Sequence, residues 1–227
     1  MTAIAAWYSS LLSSLPPIGT PQQFITPINS SGSPVTATTS ANILNGDLLI
    51  VYVGMWTSGG RTVTAVSDGT NNYTKAQSAT SSGYSSEIWY KAGASAVSSG
   101  ATLSVTFSGA TSGVMVSAIR VSGILLSSPL DAAPAGATGS GTSLSISSGV
   151  LAQPKEILVG ATTFNSNPTF TQSAGFTSVG STLFNAGIAT SASFAYQIVQ
   201  STSSVSYAPS WSSSQPYAGT LVSFKGF

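Results

Sequence analysis

Residues 45–56 read "NGDLLIVYVGMW", and this stretch decides the fold. Leu48 to Trp56 carries no charge and is apolar apart from one glycine. At nine residues it is far short of the ~20 that a membrane-spanning helix needs. This dense apolar run, behind an Asn-Gly-Asp turn, predicts the first core strand of a sandwich. Asp47 then marks where the loop ends and the buried strand begins.

The same kind of text recurs from residue 41 onward. "LLIVYV", "RTVTAVS", "SEIWYKA", "TLSVTFS" and "VMVSAIRVS" fill 48–122, and "EILVGATTF", "FTSVGSTLF", "SASFAYQIV", "SVSYAPSW" and "TLVSFK" fill 156–225. Leu103, Val105 and Phe107 alternate with Thr102, Ser104 and Thr106, giving one buried and one wet face. Short strands with turn residues every 8 to 12 positions predict an all-β sandwich or barrel. The order of runs also repeats. "GDLLIVYVG" is echoed by "KEILVGATT", "SSEIWYKAG" by "SASFAYQIV", and "GVMVSAIRVSG" by "AGTLVSFKG". Asp47 and Glu156 lie 109 residues apart, Trp89 and Tyr196 107, and Val121 and Phe224 103. Two similar halves of about five strands, near 41–123 and 144–227, are implied, with residues 123–143 between them. Five short strands make a poor core and leave edges unpaired. The expectation is one jelly-roll-like β-sandwich of about ten strands over 41–227, its halves interleaved or stacked.

Ahead of this lies a different text. Ile4, Trp7, Tyr8, Leu11, Leu12 and Leu15 fall at helical spacing before Pro16-Pro17, which predicts a short N-terminal helix over 3–15. A helix this short is marginal in water and needs a partner surface, either its own domain or another subunit. Ile4, Trp7, Tyr8, Leu11 and Leu15 are thus the candidate assembly interface. Pro16, Pro17, Pro21, Pro27 and Pro34 among Ser, Thr and Gly suggest that the rest of 1–40 is an extended tether.

Composition narrows the chemistry. Only 5% of residues are charged, and the formal net charge is +1. That leaves no field to draw in a phosphate backbone, so nucleic acid is not expected as a partner. A polar, uncharged surface can bury against other subunits at little desolvation cost. With no Cys and no His, a Ser-His-Asp triad, a Cys-His pair and a Cys/His zinc site cannot be built. No cofactor is expected. The acids are Asp47, Asp68, Glu87, Asp131 and Glu156. Facing carboxylates could serve glycoside hydrolysis. Asp47 and Glu156, however, share one place in the repeat, and Glu87 is expected to face outward beside Lys75 or Lys91. "DGTNNY" (68–73) lacks the acid that a calcium loop needs at its twelfth position, Ala79, and reads as a turn, with a calcium ion on Asp68 and loop carbonyls the lesser reading. Trp56, Trp211 and Tyr217 are candidate sugar-stacking residues, Trp211 being the one expected to be exposed; the alternative for each is core packing.

The ordered string "NGDLLIVYVG", "VSDGTNNYTKA", "IWYKAG", "LSVTFSG", "IRVSGILLSSPLDA" and "ILVGATT" resembles a β-sandwich domain of bacteriophage structural proteins that is also found in bacterial surface proteins. The likeness covers roughly 41–225 and rests on strand pattern and turns. It implies a non-enzymatic structural or adhesive module with no catalytic residues to carry over. The expected role is an accessory capsid or tail component on the virion surface. It would be homo-oligomeric, with a trimer as one arrangement, and held to other virion proteins by residues 1–40. A glycan-binding adhesion module is the alternative. An outer-membrane β-barrel, suggested by the terminal Phe227, is a further one; against it stand the lack of a basic signal-like start and of a charge-rich lumen.

Overall fold

The computed structural model describes residues 17–57, 60–81, 83–131, 134–185 and 189–227, with side chains placed for all of these but 181–185 and 189. The expected helix over 3–15, with Ile4, Trp7, Tyr8, Leu11 and Leu15, lies outside the described residues.

The described chain is all-β. Its first half holds β1 (Gln22–Gly32), β2 (Val35–Thr38), β3 (Leu48–Trp56), β4 (Val63–Ser67), β5 (Thr74–Ser81), β6 (Tyr84–Lys91), β7 (Thr102–Phe107) and β8 (Thr111–Val121). The second holds β9 (Ala135–Ser143), β10 (Ile146–Ser147), β11 (Lys155–Asn165), β12 (Phe170–Thr171), β13 (Thr177–Asn185), β14 (Ala189–Gln200), β15 (Ser206–Tyr207) and β16 (Ser210–Lys225). Two of these correct the sequence reading directly. Residues 22–38 are not a tether: β1 pairs with β8 and β2 with β7, and Phe24, Ile25 and Val35 are buried. Pro27 and Pro34 mislead because the first lies on the edge strand β1 at a break in register and the second between β1 and β2, where no ladder hydrogen bond is lost.

The strands form four antiparallel sheets, ordered β1-β8-β3-β6-β5, β2-β7-β4, β12-β16-β11-β14-β13 with β9 also on β16, and β10-β15. The second half thus repeats the order of the first, eight elements on: β9-β16-β11-β14-β13 matches β1-β8-β3-β6-β5. One element departs, since β12 pairs with β16 where its counterpart β4 pairs with β7. Sixteen strands replace the ten expected. The sheets are open and stacked, whereas a lipid-spanning barrel is one closed sheet.

Three apolar layers separate the four sheets. Leu49, Val51, Val53 and Trp89 of the first large sheet meet Val35, Val66, Leu103 and Val105 of the three-stranded one. Leu158, Ala195 and Leu221 of the second large sheet pack with Ile146 and Tyr207 of the two-stranded one. Between the large sheets, Leu48, Ile50, Tyr52, Ile88 and Ile119 meet Ile157, Val159, Phe194, Val222 and Phe224. This explains the run in 48–56: β3 is a central strand with a core on each face, so alternation would have put a polar side chain into one of them. β11 is its counterpart.

Alternation also fixes how the halves correspond. Leu48 and Ile157 both face the shared layer, as do Val121 and Phe224, which matches the offsets of 109 and 103. The offset of 107 is one residue off. Trp89 points into the first half's own core, while Tyr196 and Tyr90 pack on the shared layer. A slip of one residue in a strand exchanges its faces.

Candidate functional site

The ionisable residues are few, and nearly all of them are placed by strand ends. Asp47 sits at the entry to β3, 2% exposed, where its Oδ2 accepts from Leu44 N at 3.2 Å and Arg120 Nη1 at 2.9 Å. Gly46, at φ +87°, makes the turn that brings Leu44 and Asp47 together. Arg120 also donates to Gln22 Oε1. A buried carboxylate is tolerable when it is paired and hydrogen-bonded like this.

Glu87 corrects a second expectation. It does not face outward: it is 3% exposed, accepts from Trp89 Nε1 at 2.9 Å and pairs with Lys75 Nζ at 2.9 Å. Glu87 and Trp89 are two apart on β6 and so share a face. Lys75 closes over both, 5.1 Å from the Trp89 ring centroid. The indole N–H and the ammonium supply what water would otherwise give the carboxylate.

Asp68 is taken up by its own loop. Oδ1 accepts from the Thr70 and Asn71 amides at 3.0 and 2.6 Å, and Oδ2 from Asn71 Nδ2 and the Tyr73 hydroxyl at 3.0 and 3.2 Å. Burial, then the adjacent Asp68 charge, push the Tyr73 hydroxyl above its ordinary pKa. With both oxygens aimed at donors, the loop is an Asx turn and its carboxylate is not presented to a cation.

The sugar-stacking candidates are placed as follows. Trp211 is 4% exposed, so the exposure expected for it is not found. Its ring lies parallel to Phe164 at 5.0 Å, Tyr217 meets it edge-on at 5.4 Å, and its Nε1 donates to Gly141 O at 2.7 Å. Phe170 also stacks on Phe164, at 5.7 Å. Trp211 and Tyr217 both belong to β16, which opens at Ser210 and which the polar text "PSWSSSQPY" hides. Tyr217 is half-buried. Trp56, also half-buried, packs edge-on to Tyr84 at 5.0 Å with Gly83 beneath its ring. Trp56 and Trp211 belong to separate apolar clusters, so these aromatics do not form one platform.

Glu156 behaves unlike the other acids. It is 0% exposed on β11, and neither of its oxygens has a hydrogen-bond partner. Burial first and the Asp131 carboxylate second push it up to about 7. Sequence reasoning saw its equivalence to Asp47 but not its isolation, because the residue that would pair with it lies on a different strand.

Cavities are small. One of about 220 Å³ is lined by Gln153, Pro154, Lys155 and Phe227, and one of about 250 Å³ lies between the β5 and β9 edges. Both fall below the ~300 Å³ at which small-molecule sites usually begin. Among the described residues no three acids come together as a metal-binding group, and no helix is long and apolar enough to cross a membrane. One end of the stack carries the chain's entry. Ile18 is buried in the shared layer, Gly19 N donates to Ser122 O at 3.0 Å, and Ile18 packs against Gly226. The described chain therefore begins beside the end of β16.

No protein-family model, curated protein or solved structure matches this chain.

Proposed function

We propose that this chain is a non-enzymatic structural protein of a tailed-phage or phage-like particle, an accessory capsid or tail component attached through its N-terminal segment. The observation that carries the reading is the doubled strand order. In each half the large sheet begins 1-8-3-6, and in the first half the small sheet runs 2-7-4, with strand 5 moved to the large sheet. This is jelly-roll-like connectivity, an architecture common among viral capsid and lectin domains. The step from architecture to role is an analogy between folds.

Two further features support it. Asp47, Asp68 and Glu87 are each engaged by a cation or by loop donors, so they serve the fold. Pro17 and Ile18, which follow the amphipathic sequence of residues 4–15, sit at one end of the stack beside Gly123 and Gly226, which suits an anchor at that end. Its apolar positions, Ile4, Trp7, Tyr8, Leu11 and Leu15, would supply the buried area of the attachment.

The full-length chain and a version beginning at residue 17 separate the outcomes, because residues 22–38 must stay for the fold. Light scattering after size exclusion should give a defined oligomer for the full chain and monomer for the shorter one. The full chain should also sediment with particles from a lysate of its source. Monomers in both cases, with no particle association, would overturn the proposal.

A further inference from the structure

The two halves treat the same buried acid in opposite ways. In the first, Asp47 has Arg120 as its cation. Register gives the counterpart of Arg120 directly: Leu49 faces Arg120 across β3 and β8, and its equivalent Leu158 faces Ser223 across β11 and β16. The second half has Ser223 where a guanidinium is needed, and neither Glu156 oxygen has a hydrogen-bond partner within contact geometry.

The groups around Glu156 can be named element by element. β14 offers Val199 opposite it, β16 offers Lys225, and the turn before β11 contributes no ionisable side chain between Ser148 and Pro154. The connection between the halves contributes Asp131, whose Oδ2 is already committed to Ala152 N at 2.9 Å. Burial and then Asp131 favour the neutral form of Glu156, and the Gln153 backbone and Lys225 oppose them more weakly.

Asp131 also ends a segment that is fastened along β16. Leu125 N donates to Lys225 O at 2.9 Å, Lys225 N to Pro129 O at 2.8 Å, Asp131 N to Ser223 O at 3.1 Å, and Phe227 N to Gly123 O at 3.1 Å. The chain's entry at Gly19 joins the same patch through Ser122. We propose that Glu156 and Asp131 form a proton-dependent clasp. With Glu156 neutral the 123–131 segment lies closed on the end of β16, and ionisation of Glu156 sets two negative charges together and loosens that segment with the C-terminal residues.

The direction follows from linkage. An acid whose folded pKa is raised stabilises the fold fully below its ordinary value of 4.5, and that contribution is lost as pH rises through about 7. Hydrogen exchange on the full chain, corrected for intrinsic rates, reads this at the amides of Leu125, Asp131, Lys225 and Phe227. Protection there should fall roughly tenfold or more between pH 5.5 and 8.5 in the parent. Glu156→Gln should hold its protection at both pH values. Asp131→Asn, which keeps the amide bonds, should move the transition to lower pH, and it serves alone should Glu156→Gln not fold. Equal protection at the two pH values in the parent, or a transition that Asp131→Asn leaves in place, would overturn the clasp.

Discussion

Tyr52, on β3 of the first half, reaches across the shared layer and shares a 2.7 Å hydrogen bond with Thr163 Oγ1 on β11 of the second. Thr163 Oγ1 commits its own proton to Ser85 O at 2.8 Å, so the Tyr52 hydroxyl is the donor in that bond, and Thr162 O, at 3.0 Å, is a second acceptor for the same proton. Full burial raises the Tyr52 hydroxyl above its ordinary pKa, so it stays neutral and able to donate. Apolar layers bring sheets together without direction. This bond, with the Ser86 and Thr220 hydroxyls at 3.0 Å, sets how the two large sheets align. Tyr52→Phe keeps the ring on Phe194 and removes only the bond. It should cost about 1 to 2 kcal/mol in urea unfolding.

Asp47 and Arg120 make a stronger case. The side chains are 3% and 14% exposed, and Arg120 Nε has no partner of its own. Removing either member strands the other. Asp47→Asn and Arg120→Met should each destabilise by about 3 kcal/mol, near the lower limit for breaking a buried pair. The double variant should lose much less than the sum of the two. A double-mutant cycle measured by denaturant unfolding checks this, and additive losses would mean that the pair is not coupled.

What the sequence made legible was what apolar text encodes. The central strands β3 and β11 and their neighbours β6, β8, β14 and β16 carry long apolar runs, and each was visible in whole or in part. β1, β2, β5, β9, β10 and β12 were not. β9 reads "AGATGSGTS" and β5 "TKAQSATS", which are edge strands with too few large side chains to show a period. Their strand state comes from pairing with β16 and β6, a tertiary effect that outweighs local propensity. The position of Asp47 before a buried strand was readable. The burial of Glu87 was not, because it depends on Trp89 and Lys75 closing over it.

Glycines inside strands mark a second kind of information that sequence hides. Gly160 lies in β11 with ordinary backbone angles, yet a Cβ there would sit 2.4 Å from the Tyr207 ring. Tyr207 is fully buried against it, and ring and sheet have nowhere to move. Gly160→Ala should cost about 1 to 3 kcal/mol by overpacking, although alanine suits a strand better than glycine. In a Tyr207→Leu background the penalty should shrink, which a four-variant thermal series reads.

Trp211 separates a packing role from a binding one. Its ring is enclosed by Phe164 and Tyr217 at the junction of β16, β9 and β12, and its indole N–H satisfies Gly141 O. Truncation to alanine removes a large buried ring and leaves that carbonyl unpaired, so Trp211→Ala should cost about 3 to 5 kcal/mol. Trp211→Phe keeps the stack and loses the bond, for about 1 kcal/mol. Near-ultraviolet circular dichroism with urea titration measures both. A glycan array probed with the folded parent and the folded Trp211→Phe form should give the same pattern, because the ring presents no face to a sugar. A variant that kept full stability and lost glycan signal would put Trp211 at a binding surface instead.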